Sequence, residues 1–171
     1  MASSTENVKL GVCTVLFDDV DLGFTKGGVE VAVATNTHEV TVDQLGETPI
    51  DEIITGRTVQ VTVPMAETTL ENLVKIMPAS RLVTDAQTPT KKKVVVATGT
   101  STSLLKLAQT LTLRPKGTTG EDDFTVMKAM TSGAIQFAYQ TDQERIFNVV
   151  FKGYADESGD LFSVGDDTAA A

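Results

Sequence analysis

The sequence predicts a mainly β protein, and three observations carry that reading. The 171-residue chain contains 26 Thr and 21 Val, and β-branched side chains fit a pleated sheet better than a helix because their χ1 rotation is restricted. Several short stretches alternate apolar and polar residues with period two, most clearly Thr58 to Val63 (TVQVTV). Only one substantial stretch switches to helical period. Together these predict a mainly β domain with one α-helix at about residues 65–77 that covers a sheet face or edge. The length suits one domain with a sizeable core. That β domain spans 8–165, between a small polar N-terminus (1–7) and the tail DDTAAA (166–171), both expected to be flexible.

Lys9 to Phe17 (KLGVCTVLF) reads as the first strand, and DDVD and GFTKGG follow as turns. Val29 to Ala34 (VEVAVA) alternates as a half-buried strand. Glu39 to Asp43 (EVTVD) continues it, with Val40 and Val42 on one face and Glu39, Thr41 and Asp43 on the other. Residues 44–57 (QLGETPIDEIITGR) read as a long connection, a length usually reserved for functional or mobile loops. In the next strand Val59, Val61 and Val63 face one way and Thr58, Gln60 and Thr62 the other.

Pro64 then punctuates, and residues 65–77 (MAETTLENLVKIM) form the helix. Ala66, Leu70, Leu73, Val74 and Met77 make its apolar stripe. Glu67 and Glu71 precede Lys75, an order that suits the helix dipole and allows a Glu71–Lys75 pair four residues apart. Pro78 stops it. Residues 93–98 (KVVVAT) read as a strand. Residues 104–113 read as a short helix in the first half and a strand toward Arg114. Residues 115–123 are a loop by composition, and 124–130 and 134–141 (AIQFAYQT) are strands. Arg145 to Tyr154 has apolar residues on both faces and should lie inside the fold. A turn at 156–160 precedes a last short strand in LFSVG.

The net charge of −9 makes free nucleic acid a poor partner for the chain as a whole, since such binding rests on Lys and Arg. The charge is segregated: 13 acids and 5 bases in residues 1–90, six bases and no acid in 91–117, 10 acids and 3 bases in 118–171. The basic block (Lys91, Lys92, Lys93, Lys106, Arg114, Lys116) is either a solvated edge or the complement of a neighbouring copy. No apolar run approaches the roughly 20 residues that span a bilayer, and MASSTENVKL has no secretory-signal pattern. No membrane partner is expected.

A catalytic site is not expected. Cys13 is the one cysteine and His38 the one histidine, so a disulfide within the chain and the common zinc sites are excluded. Cys13 sits in an apolar strand, where a thiol behaves as a small hydrophobe, and His38 sits in a polar segment. The acid pairs Asp18/Asp19, Asp51/Glu52 and Asp122/Asp123 fall in turns and match no calcium-loop spacing. GFTKGG lacks the order of a phosphate loop. The sequence implies no enzyme, no metal and no cofactor.

One region carries a family likeness. Asp43-Gln44-Leu45-Gly46, Thr48-Pro49-Ile50-Asp51, Thr55-Gly56, TVQVTV and Ala66-Glu67-Thr68-Thr69-Leu70-Glu71-Asn72-Leu73, with the closing RIFNVVFKGYAD and LFSVGD, resemble the major tail tube proteins of long-tailed bacteriophages. The resemblance implies the phage tail tube fold, two packed antiparallel sheets (sandwich-like or barrel-like) flanked by that one α-helix, shared with contractile-tail tubes and the type VI secretion tube protein. It implies hexameric rings stacked into a tube, each copy giving four strands to a barrel around a channel. The tube would conduct DNA without tight binding and meet tape measure, tail tip and tail terminator proteins. The protein would be made in the host cytoplasm and end in the virion tail.

On this reading, face alternation makes Glu39, Thr41, Asp43, Thr58, Gln60 and Thr62 the lumen candidates, acids and hydroxyls that let DNA slide. Six copies carry roughly −54 before screening. Residues 44–57, with Glu47, Asp51, Glu52 and Arg57, are the candidate ring-stacking loop, the alternative being an ordinary long hairpin loop. Its acids would meet the basic block of an adjacent subunit. Two other readings stand beside this one. The first is a tube protein of a contractile tail or secretion machine. The second is a β-sandwich decoration or binding module, which should display an exposed aromatic or loop cluster; the two Tyr and seven Phe fall mostly in predicted strands, which disfavours it.

Overall fold

The computed structural model describes residues 11–169. The predicted N-terminus at 1–7, the first residues of the strand begun at Lys9, and residues 170–171 lie outside them. The fold is mainly β, with two antiparallel sheets and two short helices. The strands are β1 (Cys13–Phe17), β2 (Val20–Asp21), β3 (Glu30–Thr41), β4 (Pro49–Met65), β5 (Ser80–Thr84), β6 (Lys92–Val96), β7 (Gln109–Pro115), β8 (Phe124–Thr131), β9 (Phe147–Tyr154) and β10 (Phe162–Val164). The large sheet runs β2-β1-β7-β8-β9-β4-β3, with β10 beside β8; β5 and β6 form the small one. Helix α1 is Leu70–Ile76 and α2 is Leu104–Leu107.

Most of the core lies on one face of the large sheet, with Met130 of β8, opposite Lys152, buried on the other. Val59, Val61, Val63 and Met65 of β4 and Phe147, Val149 and Phe151 of β9 are buried, as the alternation of both strands predicts, and Val15, Phe17, Leu111, Leu113 and Val126 complete the cluster. Phe151 is fully buried and its ring meets that of Phe17 at 5.3 Å. β9 sits between β8 and β4, so its place inside the fold is as expected. Gly153 is required there, because a Cβ would overlap a methyl of Val59 and reach Val126 Cγ1 at 2.8 Å.

Several local expectations change. Residues 49–57 are not a connection but the first half of β4, paired with β3 as far as Thr41. The link between the strands shortens to Val42–Thr48, with a single 3₁₀ turn at Asp43–Leu45. Acids, Gly and Pro made the segment look like a loop. Two register irregularities, opposite Asn36/Thr37 and Val40/Thr41, each add a residue to β4 (Thr55 and Ile50) and interrupt its period-two alternation.

Pro64 does not end β4. Its carbonyl accepts from the Lys26 amide at 3.0 Å, so its nitrogen faces the side where β3 has already ended and costs no ladder bond to β9. Met65 pairs with Phe147, and Ala66 and Glu67 donate backbone bonds to the Phe24 carbonyl. The helix therefore starts later, at Leu70, with Thr69 Oγ1 accepting from the Asn72 amide at 3.2 Å as its cap. Its buried residue is Ile76, outside the predicted stripe. Glu71 pairs with Lys92 at 2.8 Å rather than with Lys75. Residues 134–141 form no strand. In the described part of the tail Asp166 accepts from the Thr168 amide and hydroxyl, and Asp167 from the Ser163 hydroxyl.

Candidate functional site

The candidate site is the arm formed by the distal halves of β3 and β4. β9 pairs with β4 from Gln60 to Met65 only, and residues 49–59 have β3 as their one strand neighbour among the described residues. Eight registered pairs run from Ala34–Thr58 to Thr41–Pro49, a ribbon of roughly 25 Å at the usual rise per residue. Nearly every residue of β3 is exposed. Val33 is 44% exposed, and Ile50, Ile53 and Ile54 are each 52% exposed. A two-stranded ribbon is marginal alone in water, and among the described residues this one leaves apolar side chains and two strand edges open.

The pairing register sorts the predicted lumen residues. Thr58, Gln60 and Thr62 stand opposite Ala34, Ala32 and Glu30. They lie on the face away from the core, because the alternating Val59, Val61 and Val63 are buried. Glu39 and Thr41 are odd-numbered in a regular β3 and share the opposite face with Val31 and Val33. Asp43 is exposed in the 3₁₀ turn. The six candidates therefore do not line one face. The pairing of Thr58, Gln60 and Thr62 with even-numbered β3 residues and the continuity of β3 set this arrangement, and the period of either strand alone does not show it. Lys152 stands beside Gln60, so the outward face also carries a base.

The predicted stacking residues all lie on the arm. Glu47 is exposed in the turn, Asp51 is opposite Val40, Glu52 opposite Glu39 and Arg57 opposite Thr35. The basic block is scattered. Lys91, Lys92 and Lys93 belong to the β5–β6 hairpin, and Lys106 is on α2. Lys116 follows β7 and binds the Val12 carbonyl through its backbone amide. Arg114 is not free for a neighbour. It clamps the buried Asp123 through Nη2 at 2.7 Å and Nε at 2.9 and 3.2 Å, and that carboxylate raises the guanidinium pKa further.

Cys13 and His38 are not brought together. Burial pushes the Cys13 thiol pKa up, which keeps it protonated. β7, β8, β9 and β4 separate its strand from that of His38 in the sheet order. Among the described residues no three His, Cys, Asp or Glu side chains could hold a metal, and no helix is long and apolar enough to cross a membrane.

Two features escaped sequence reasoning. Phe24 is 80% exposed in a turn tied down through its own amide and carbonyl by Glu67 and Ala66. In the segment before β9, Phe137 and Tyr139 are exposed, and the Arg145 guanidinium lies 5.3–5.9 Å from the rings of Phe137, Tyr139 and Phe147. Reading 134–141 as a strand had assigned those aromatics to packing. No protein-family model matches the chain, and no curated protein matches it.

Proposed function

We propose that the chain is a structural subunit of a hollow tube, its copies joined edge to edge through the β3–β4 arm into rings, six per ring, that stack. The reading follows the resemblance to phage major tail tube proteins, with DNA as the cargo of the channel and the virion tail as its place. The observation that supports it best is the arm's pair of open edges. β3 is a 12-residue edge strand without Lys or Pro, the residues that usually block edge pairing. Among the described residues the β4 edge at 49–59 is open on the other side. Joining the β3 edge of one copy to the β4 edge of the next is a heterologous contact, and a closed ring of such contacts leaves no edge. On this reading the channel wall is the outward face with Ala32, Ala34, Thr58, Gln60 and Thr62, while Glu39 and Thr41 lie behind it.

Negative-stain microscopy with light scattering across concentration tests the proposal. Rings or hollow tubes wide enough for a DNA duplex are expected. Compact particles at every concentration, with no ring or tube on addition of purified tail tips, would overturn it. A second reading, a virion decoration or binding module, is favoured by the exposed Phe137, Tyr139 and Arg145, the residue types of binding hot spots. It predicts a monomer that binds assembled virions through that cluster, with binding lost in Tyr139→Ala.

A further inference from the structure

The distal arm contains a charge conflict. Glu39 and Glu52 are direct cross-strand neighbours, which brings their Cβ atoms to about 5 Å on one face, and like charges so placed destabilise a ribbon. Residues 39–52 hold five carboxylates and no Lys or Arg. Among the described residues no ion pair reaches Glu39, Glu47, Asp51 or Glu52. The opposite surplus lies on the β5–β6 hairpin, where Arg81, Lys91, Lys92 and Lys93 stand against Asp85. Lys92 is held by Glu71. Lys93, opposite Val83, takes the other face of the strand, and with Lys91, Thr90 and Asp85 it lines a groove of about 500 Å³.

We propose that the acidic tip of one copy docks in the lysine groove of a second copy, with Glu39 and Glu52 meeting Lys91 and Lys93. The proposal rests on the arm being the assembly element, and it adds the surface that receives it. A second copy is the fitting occupant because both halves of the match are in one sequence. A chain of net charge −9 also repels its copies except where a local surplus of bases meets the acids. Ile54, on the same face as Glu52 and 52% exposed, rests on Val83 in this arrangement.

A zero-length carbodiimide cross-link, which joins a carboxylate to an amine, reads the contact on a mixture of ¹⁴N- and ¹⁵N-labelled full-length protein. Mixed-isotope peptides joining Glu39 or Glu52 to Lys91 or Lys93 are expected. Their absence, or links within single chains only, overturns the docking. In parallel, Glu39→Lys/Glu52→Lys and Lys91→Glu/Lys93→Glu should each weaken self-association at least about tenfold, and mixing the two variants should restore it. All four side chains are exposed, and unchanged circular dichroism verifies the fold. Wild-type association by either variant alone sinks the proposal. Tubes without these cross-links remove the docking and leave the tube reading standing. Cross-links without rings or tubes keep the docking and remove the tube.

Discussion

β4 is one strand in two environments. From Val59 to Met65 its alternate side chains are buried, with Val61 at 1% and Val63 at 0% exposure, and its backbone is bonded to β9 from Gln60 on. From Pro49 to Thr58 it has a single strand neighbour, β3, and its isoleucines are half-exposed. The charges divide the same way. On the body, Arg114–Asp123, Lys92–Glu71 and Lys26–Glu144 are paired, whereas the arm places Glu39 against Glu52. The first half of this contrast is what a folded monomer needs. The second leaves apolar area, ladder bonds and charge unsatisfied, which suits a surface completed by another molecule.

The contrast is broken most forcefully by truncating each side. Phe151→Ala, opposite Val61 on β9, should lower unfolding stability by about 3–5 kcal/mol, the range for a fully buried aromatic. Urea denaturation followed by circular dichroism measures it. Gly153→Ala should cost about 1–3 kcal/mol by overpacking Val59 and Val126. Ile53→Ala with Ile54→Ala should stay within about 0.5 kcal/mol in the monomer while impairing assembly. A loss on the arm as large as that at Phe151 would erase the distinction.

Hydrogen exchange sharpens the same comparison without mutation. Amides of β4 bonded to β9 should exchange only through global unfolding, and those of residues 50–57 through local fraying of the ribbon. In assembled tubes the arm amides should become as slow as the core. Equal protection of both halves in the monomer would show that the arm is stable without a partner.

The contrast also explains what the sequence made legible. Where one face is buried, burial enforces alternation, and TVQVTV and RIFNVVFKGY announce their strands. In the arm no core selects between faces, so Thr35 to His38 (TNTH) and Thr48 to Gly56 (TPIDEIITG) carry no period. Their composition then imitates a loop. β5 was missed for a related reason: SRLVT pairs only with β6, and its burial is partial. The acids and bases of the candidate site could be named from sequence. Their faces could not, because Thr58, Gln60 and Thr62 are registered against even-numbered β3 residues, which puts odd-numbered Glu39 and Thr41 on the other face, and neither strand alone announces that pairing.

The smallest effect concerns the paired side of the contrast. The hydrogen bond from Lys92 holds the Glu71 carboxyl below its ordinary range. A carboxyl whose pKa is lower in the folded state adds stability above its unfolded value and loses it as pH falls through the folded one. Wild type should therefore be slightly more stable than Glu71→Gln near neutral pH, with the two converging in acid. Both partners are largely exposed, so the difference should be small and should vanish in high salt. Melting curves of both proteins across pH and salt measure it. A gap that persists in acid would mean that Glu71 acts through packing of α1 on β6, and that paired charge does not distinguish the body from the arm at this position.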